Sequence, residues 1–309
     1  METQFKSLLQ VLYYFKEEET CINYLAQSSW GETPCCPHCG NIGAYKTNRG
    51  YKCKARECHK KFTVTTGTIF ESTKIDLRTW FAAMYLCTAH KKGISSLQLH
   101  RDLNITQKTA WFLLHRIREM LGNYDKGEQL DGMVEVDETY VGGATKNKSN
   151  KKRKELKASG QQFVNKTGVV GLVARDGAVR TQVIYTQKPK HSDVLPIIQE
   201  HVNENALVIT DSSTMYGSLK HSYKHESVNH QQSEYVHGIF HTNTIEGFFG
   251  QLKRGIIGIY YYASPKHLQA YCDEFSYRYN TRKVSDVTRF EDVFKKADNI
   301  RLTYEKLIS

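Results

Sequence analysis

With 309 residues and a formal charge of +11, the chain is long enough for two domains and basic enough to seek a polyanion, nucleic acid ahead of a membrane surface. Its 39% hydrophobic residues suit buried cores, yet no apolar run approaches the roughly 18 residues of a membrane helix, and METQFKSLLQ holds no signal-peptide core. A membrane span is thereby excluded, and a cytoplasmic protein is expected.

Residues 1–34 read as an N-terminal helical segment, because Phe5, Leu8, Leu9, Leu12 and Phe15, then Cys21, Ile22 and Leu25, recur at helical spacing. Of eight cysteines, five cluster at Cys35, Cys36, Cys39, Cys53 and Cys58. Such clustering points to a metal in a reducing compartment rather than to disulfides. Residues 35–70 contain two knuckles, Cys36-x-x-Cys39 and Cys53-x4-Cys58, around a strand-like segment with Tyr45 and Tyr51. This is the zinc-ribbon pattern, and four soft thiolates in a closed site suit a structural zinc. Cys35 is an alternative to Cys36, and His38 or His59 to a cysteine. The surrounding Lys46, Arg49, Lys52, Lys54, Arg56, Lys60 and Lys61 serve equally as a solvated basic surface or as DNA contacts.

Residues 71–124 turn helical. Leu77, Trp80, Phe81, Met84 and Tyr85 form one apolar stripe that stops at Gly93. A short helix, a tight turn at Asn104 and a longer helix from Thr106 to Leu121 then predict a helix-turn-helix, with Gln107, Lys108 and Thr109 at the entry to a DNA major groove. Helical hairpins without a DNA role are also common; the neighbouring ribbon and the basic charge favour DNA.

Beyond the Gly122 to Gly132 linker, residues 130–285 change period. GMVEVDETYVGG alternates, placing Val134, Val136 and Tyr140 on one face and Glu135, Asp137 and Thr139 on the other. The basic insertion 144–166 reads as exposed and mobile; Lys151, Lys152 and Arg153 in it, like Arg254 further on, are candidate phosphate contacts. A hairpin follows, turning at Asp176-Gly177, then a helix beginning near Ser192 or Asp193. ALVITDSS is a strand buried on both faces that ends on Asp211, and a further helix and strand are expected in MYGSLKHSYKHESVNH. HTNTIEGFFGQLKRG predicts a helix on which Glu246 and Lys253, seven residues apart, share a face. Asn243 there fits an N-cap with Glu246 reaching back. An aromatic-rich helix over HLQAYCDEFSYRYNTR completes the domain, and 286–309 form a helical tail.

The alternation of strands and helices predicts an α/β mixed sheet. If its first and fourth strands are neighbours, Asp137 and Asp211 converge, and Glu246 can be laid over them. A basic protein that gathers three carboxylates needs divalent cations to neutralise them. Two Mg²⁺ or Mn²⁺ ions about 3.5–4 Å apart would support in-line phosphodiester transfer.

VEVDETYVGG, ALVITDSS and HTNTIEGFFGQLKRGIIGIYYYAS, preceded by the CPHCG ribbon, resemble the Merlin-related DDE transposases of insertion sequences, and the resemblance covers nearly the whole chain. It implies a multi-domain protein whose zinc ribbon and helix-turn-helix precede an RNase H-like catalytic core. It also implies binding to terminal inverted repeats, divalent-metal cleavage, joining to target DNA, and action as a homodimer or higher oligomer in a nucleoid-associated bacterial setting. By position, Asp137 and Asp211 become the first two catalytic residues. The third is Glu246 by the acid-to-lysine spacing, or Asn243 by the family's Asn signature, with Lys253 following in either case. The rival readings are a DNA-binding regulator with an inert C-terminal domain and a metal-dependent nuclease that does not join.

Overall fold

A computed structural model describes residues 5–123, 127–143, 149–158, 166–186, 189–228 and 240–309. The chain divides into two compact units, one of Met1–Tyr124 with Lys283–Ser309, the other of Asp125–Arg282. The segment expected as a tail, 286–309, therefore folds with the first 124 residues rather than extending from the second unit.

In the first unit, α1 (Leu8–Tyr14) and α2 (Glu18–Trp30) lead to a small antiparallel sheet of β1 (Ala44–Thr47), β2 (Gly50–Cys53) and β3 (Lys61–Phe62). The helix α3 (Leu77–Ala89) is buried at Leu77 and at every position from Trp80 to Thr88, so it forms the axis of the unit. Its N-terminus is secured twice. Asp76 accepts the Thr79 amide at 2.7 Å, and the Glu18 carboxylate accepts that of Leu77 at 3.0 Å. Around α3 the core is aromatic: Phe81 lies 4.7 Å from Phe15 and 4.6 Å from Phe294, the latter on the returning helix Asp286–Phe294. Apolar residues spaced at Phe290, Val293 and Phe294 are what draw the chain's end back into this unit.

Next come α4 (Ser96–Leu103) and α5 (Gln107–Gly122). Asn104 takes the left-handed conformation at φ 51°, which ends α4, and Thr106 caps α5 by accepting the Thr109 amide.

The second unit is a five-stranded sheet in the order β6-β5-β4-β7-β8, built from β4 (Met133–Gly142), β5 (Lys166–Ala174), β6 (Val179–Ile184), β7 (Leu207–Asp211) and β8 (Lys224–Val228). β5 runs antiparallel to β4 and β6, while β7 runs parallel to both β4 and β8. Both faces are covered, hence the unbroken apolar run of β5. On one face Val134, Val136, Val170, Leu172 and Val208 meet α7 (His191–His201); on the other Val169, Val173 and Val183 meet α8 (Asn243–Gly255) and α9 (Leu268–Asn280). Glycine brings α8 in: a Cβ at Gly171 would stand 2.7 Å from Ile245 and Phe249 side-chain atoms, and one at Gly255 only 2.0 Å from the Phe275 ring.

Two elements differ from expectation. Between β7 and β8 two short 3₁₀ turns, Thr214–Tyr216 and Leu219–His221, replace the expected helix; Gly217 and Ser218 separate them, while Tyr216 and Leu219 are inserted into the core. The basic insertion contains α6 (Asn150–Ala158), whose described side chains are exposed except at Leu156, while 144–148 and 159–165 lie outside the described residues. No helix among the described residues is long and apolar enough to cross a membrane.

Candidate functional site

Two clusters of metal-binding groups are candidates, one in each unit. In the first, β1 and β2 carry the knuckles together, and the sulfurs of Cys36, Cys39, Cys53 and Cys58 all lie within 4.8 Å of one another. Cys36 and Cys58 are 3.8 Å apart and Cys39 and Cys53 3.6 Å. A tetrahedral ion with bonds of about 2.3 Å requires edges of about 3.8 Å, so the site fits zinc. The cluster answers the question of ligands: Cys35 turns away to the Gly40 carbonyl at 3.4 Å, and neither His38 nor His59 joins. Burial opposes ionisation of Cys36, but the His38 and Cys39 amides and two neighbouring thiols donate to it and hold its pKa below the usual thiol range. Beneath the cluster, Trp30, Tyr51 and Phe62 form an aromatic base.

The second cluster is built by β4, β7 and α8. The parallel register pairs Val134 with Val208 and Glu135 with Ile209, so Asp137 and Asp211 each follow two residues beyond its last pair. The neighbouring of these strands, on which the convergence of the two acids depended, is thus present. Asp137 has its pKa pushed up to about 7, first by burial, then by Glu138, with Asp211 and Glu246 adding in the same direction. The charges of Asp211 and Glu246 are thus both felt at Asp137. Asp137 is held by the Glu138 amide at 2.8 Å, and Asp211 accepts from the Ser213 amide at 3.1 Å. Glu138, on the opposite face of β4, is gripped by the Tyr216 hydroxyl at 2.7 Å; burial first, then Asp211, keep its pKa raised against that bond.

The docking of α8 depends on a residue to which the sequence assigned no role. Glu135 is fully buried, and its carboxylate accepts the amides of Thr244 at 2.9 Å and Ile245 at 3.1 Å together with the Thr244 hydroxyl at 2.9 Å. Arg175 compensates the charge from 3.0 Å and also donates to the His241 carbonyl. His241 brings Nδ1 to 3.3 Å, though not aligned for a hydrogen bond. An anion thus sits on the positive end of the helix, where the free amides and the dipole favour it. The signal in the sequence was an acid in mid-strand on the inward face.

This corrects the expected cap. Thr242, not Asn243, is the N-cap residue, and its hydroxyl donates to Glu246 at 3.1 Å. Asn243 opens the helix and is exposed, as are Glu246, Lys253 and Arg254. Seven residues apart on a continuous helix, Glu246 and Lys253 project from the same side.

The expected DNA-reading residues sit as follows. Most of α5 is buried, with Leu113 through Arg118 inside the unit, so only its first turn offers a surface. Gln107 donates to Ser96 at 3.0 Å, the Lys108 ammonium lies 4.5 Å over the Tyr304 ring, and Thr109 is engaged with the Thr106 cap. Gln107 and Lys108 remain exposed. On α6, Lys151 and Arg153 are exposed, Arg153 touching Asn150; the Lys152 side chain lies outside the described residues. All seven cations of the ribbon are exposed.

Residues 129–280 match the ISXO2-like transposase domain, and residues 16–61 match a transposase zinc-ribbon domain. The first match spans the entire acid cluster, the second all four thiol ligands. An uncharacterized protein in transposable element ISH50 of Halobacterium salinarum is 29% identical over 253 residues, which is 78% of this chain and 83% of that protein.

Proposed function

The chain belongs to the ISXO2-like transposases of insertion sequences, and from that premise we propose that it binds the terminal inverted repeats of its element, cleaves at the ends and joins the freed 3′-hydroxyl to target DNA. The observation that supports this reading is the parallel pairing of β4 with β7, together with the charges of Asp211 and Glu246 that are both felt at Asp137. The strand order β6-β5-β4-β7-β8, with only β5 reversed, supports an RNase H-like core.

Asp137, Asp211 and Glu246 would hold Mg²⁺ or Mn²⁺. Their oxygen donors suit hard cations, and the burial and carboxylate repulsion that lift Asp137 are what such a cation offsets. Bound there, the ions supply Lewis-acid activation of a water or 3′-hydroxyl and stabilise the departing oxygen. Glu246 is preferred to Asn243 as third ligand because it is anionic and its charge reaches Asp137. Asn243, in the same helical turn, orients solvent or DNA. Lys253 fixes the scissile phosphate from the face it shares with Glu246, and Arg254 holds an adjoining phosphate. Glu135 keeps α8 docked so that these groups keep their places.

The first unit supplies recognition. The zinc ribbon, the opening turn of α5 as the entry of a helix-turn-helix, and the cations of α6 in the second unit spread contacts along a DNA backbone. Cleavage at two ends calls for a dimer or larger assembly, acting on cytoplasmic, nucleoid DNA.

The test uses full-length protein, Mg²⁺, DNA carrying the element's end and a supercoiled target plasmid. Wild type is expected to yield cleaved ends and joined products, and Asp211→Asn to bind the end unchanged while cleaving at least about 100-fold more slowly. Equal cleavage by Asp211→Asn overturns the site. Cleavage by wild type with no joined product replaces transposition by simple nuclease activity.

A further inference from the structure

At the C-terminal end of α8 the fold presents bare aromatic rings on a braced turn. The helix widens after Gly255 into a π-type turn, Ile256–Tyr260, a distortion that recurs at functional sites. Tyr260 points inward. Its hydroxyl donates to Glu274 at 2.6 Å, Glu274 is fully buried and held by Arg278 at 2.5 Å, and its ring centre lies 4.8 Å from that of Tyr271. The next two residues do the opposite: Tyr261 is 84% exposed and Tyr262 63%, with Ile257 at 69% beside them in the chain. Tyr261 has φ 60° and ψ −39°, a backbone conformation rarely adopted by a bulky residue. A slack loop would relax that conformation. Here the Tyr260–Glu274–Arg278 network, closed on the buried Glu274, fixes the residue just before it, and Ala263, two residues on, is buried.

The surroundings in the chain are cationic. Lys253 and Arg254 precede the turn and Lys266 follows it, all exposed. Two outward rings between cations suit a nucleic acid, whose bases stack on aromatic faces while its phosphates meet the charges. A protein partner would favour a wider apolar surface with few charges at its centre.

We propose that Tyr261 and Tyr262 form a stacking platform for an unpaired base of the DNA strand engaged at the acid cluster. The inference rests on the transposase reading and adds the state of its substrate: an end that is opened, with a base withdrawn from the duplex. Fifteen residue steps separate Glu246 from Tyr261, about 22 Å at helical rise, or about six nucleotides of a DNA strand. The captured base therefore lies within that distance of the scissile phosphate.

Because base stacking tolerates any sequence, the probe is a duplex splayed by unpaired nucleotides at one end, compared by fluorescence anisotropy with the fully paired duplex at the same salt. Full-length wild type is expected to prefer the splayed form and to quench 2-aminopurine placed among the unpaired nucleotides. Tyr261→Ala and Tyr262→Ala should weaken splayed-duplex binding by about 5–100-fold and lose the quenching, with paired-duplex binding and melting temperature unchanged. Tyr261→Phe, which keeps the ring, should behave as wild type. Alanine variants that bind and quench like wild type overturn the platform while leaving transposition standing. So do variants that keep the DNA preference but sediment as smaller assemblies, since the tyrosines would then face a second copy of the chain. Wild type that binds neither duplex overturns the underlying DNA reading itself.

Discussion

The thiol cluster and the acids proposed to hold a metal are assembled in opposite ways. The thiols come from two knuckles within one small sheet and sit within 4.8 Å of one another. The acids come from two strands and a helix, separated in sequence by more than a third of the chain. Among the described residues only the thiols draw so close. Thiols can be crowded against their neighbours, whereas carboxylates repel: burial first, and then the charges of neighbouring acids, push the pKa of Asp137 up. The ribbon is thus shaped by its ligands, while the acid cluster is imposed by a scaffold that is stable without it.

The largest effect that can break this contrast is at the cysteines. Cys36→Ser or Cys53→Ser should abolish stoichiometric zinc, and amide exchange should become fast from β1 to β3, since a small sheet of this kind draws its stability from the metal. The five-stranded sheet of the second unit should keep its protection. Cys35→Ser, whose sulfur turns to Gly40, should retain the ion. Metal content unaltered in the first two variants, or lost in the third, would reverse the ligand assignment.

How far each cluster was legible follows from the same contrast. Cys36-x-x-Cys39 and Cys53-x4-Cys58 are local, so spacing alone announced them; the choice between Cys35 and Cys36, and the exclusion of His38 and His59, required the fold. Asp137 and Asp211 could be located at strand positions, yet their meeting depended on β4 and β7 being neighbours, a long-range fact that no local pattern encodes. The apolar stripe of α3 and the turn at Asn104 were readable for local reasons, periodicity and a left-handed residue. Periodicity could not show that the far side of α5 is also covered, nor that Phe290 and Phe294 return to the first unit. Glu135 was visible as an acid on the inward face of a strand, but its partners lie more than a hundred residues away on α8. A helix start such as Asn243-x-x-Glu246 suggests a local cap. The actual acceptor of the first free amides is this distant carboxylate, and tertiary structure displaced the local motif.

Glu135 gives the second, smaller test, because it shows whether scaffold and acids can be separated. Glu135→Ala removes the acceptor of two helix amides and the partner of Arg175, a change expected to cost about 3–5 kcal/mol. Glu135→Gln retains one acceptor oxygen and should lose less. If Glu135 acts through α8, the glutamine variant, still folded at low temperature, should keep end-DNA binding while its cleavage rate falls. Urea unfolding separates the stability loss from the rate loss. A glutamine variant less stable but fully active would make Glu135 purely structural.

The third test turns on protons. Asp137 titrates near 7 in the folded protein against 3.8 in an unfolded chain, first because it is buried and then because Glu138, Asp211 and Glu246 surround it. Between those values the folded state holds a proton that the unfolded state has released, so without divalent metal stability should fall as pH rises from about 4 to about 7. Above 7 the whole penalty is felt, and Asp137→Asn, which has no charge to bury, should be more stable than wild type at pH 8 by up to about 4 kcal/mol. Glu138, its pKa also raised, leaves some slope in the variant. Mg²⁺ should reverse the order, stabilising wild type by binding the ionised cluster and scarcely affecting Asp137→Asn. Urea midpoints at pH 5 and pH 8, with and without Mg²⁺, read all of this directly. A wild type whose midpoint ignores both pH and Mg²⁺ would mean that the acids do not share a locus, and the contrast with the preformed thiol cluster would collapse.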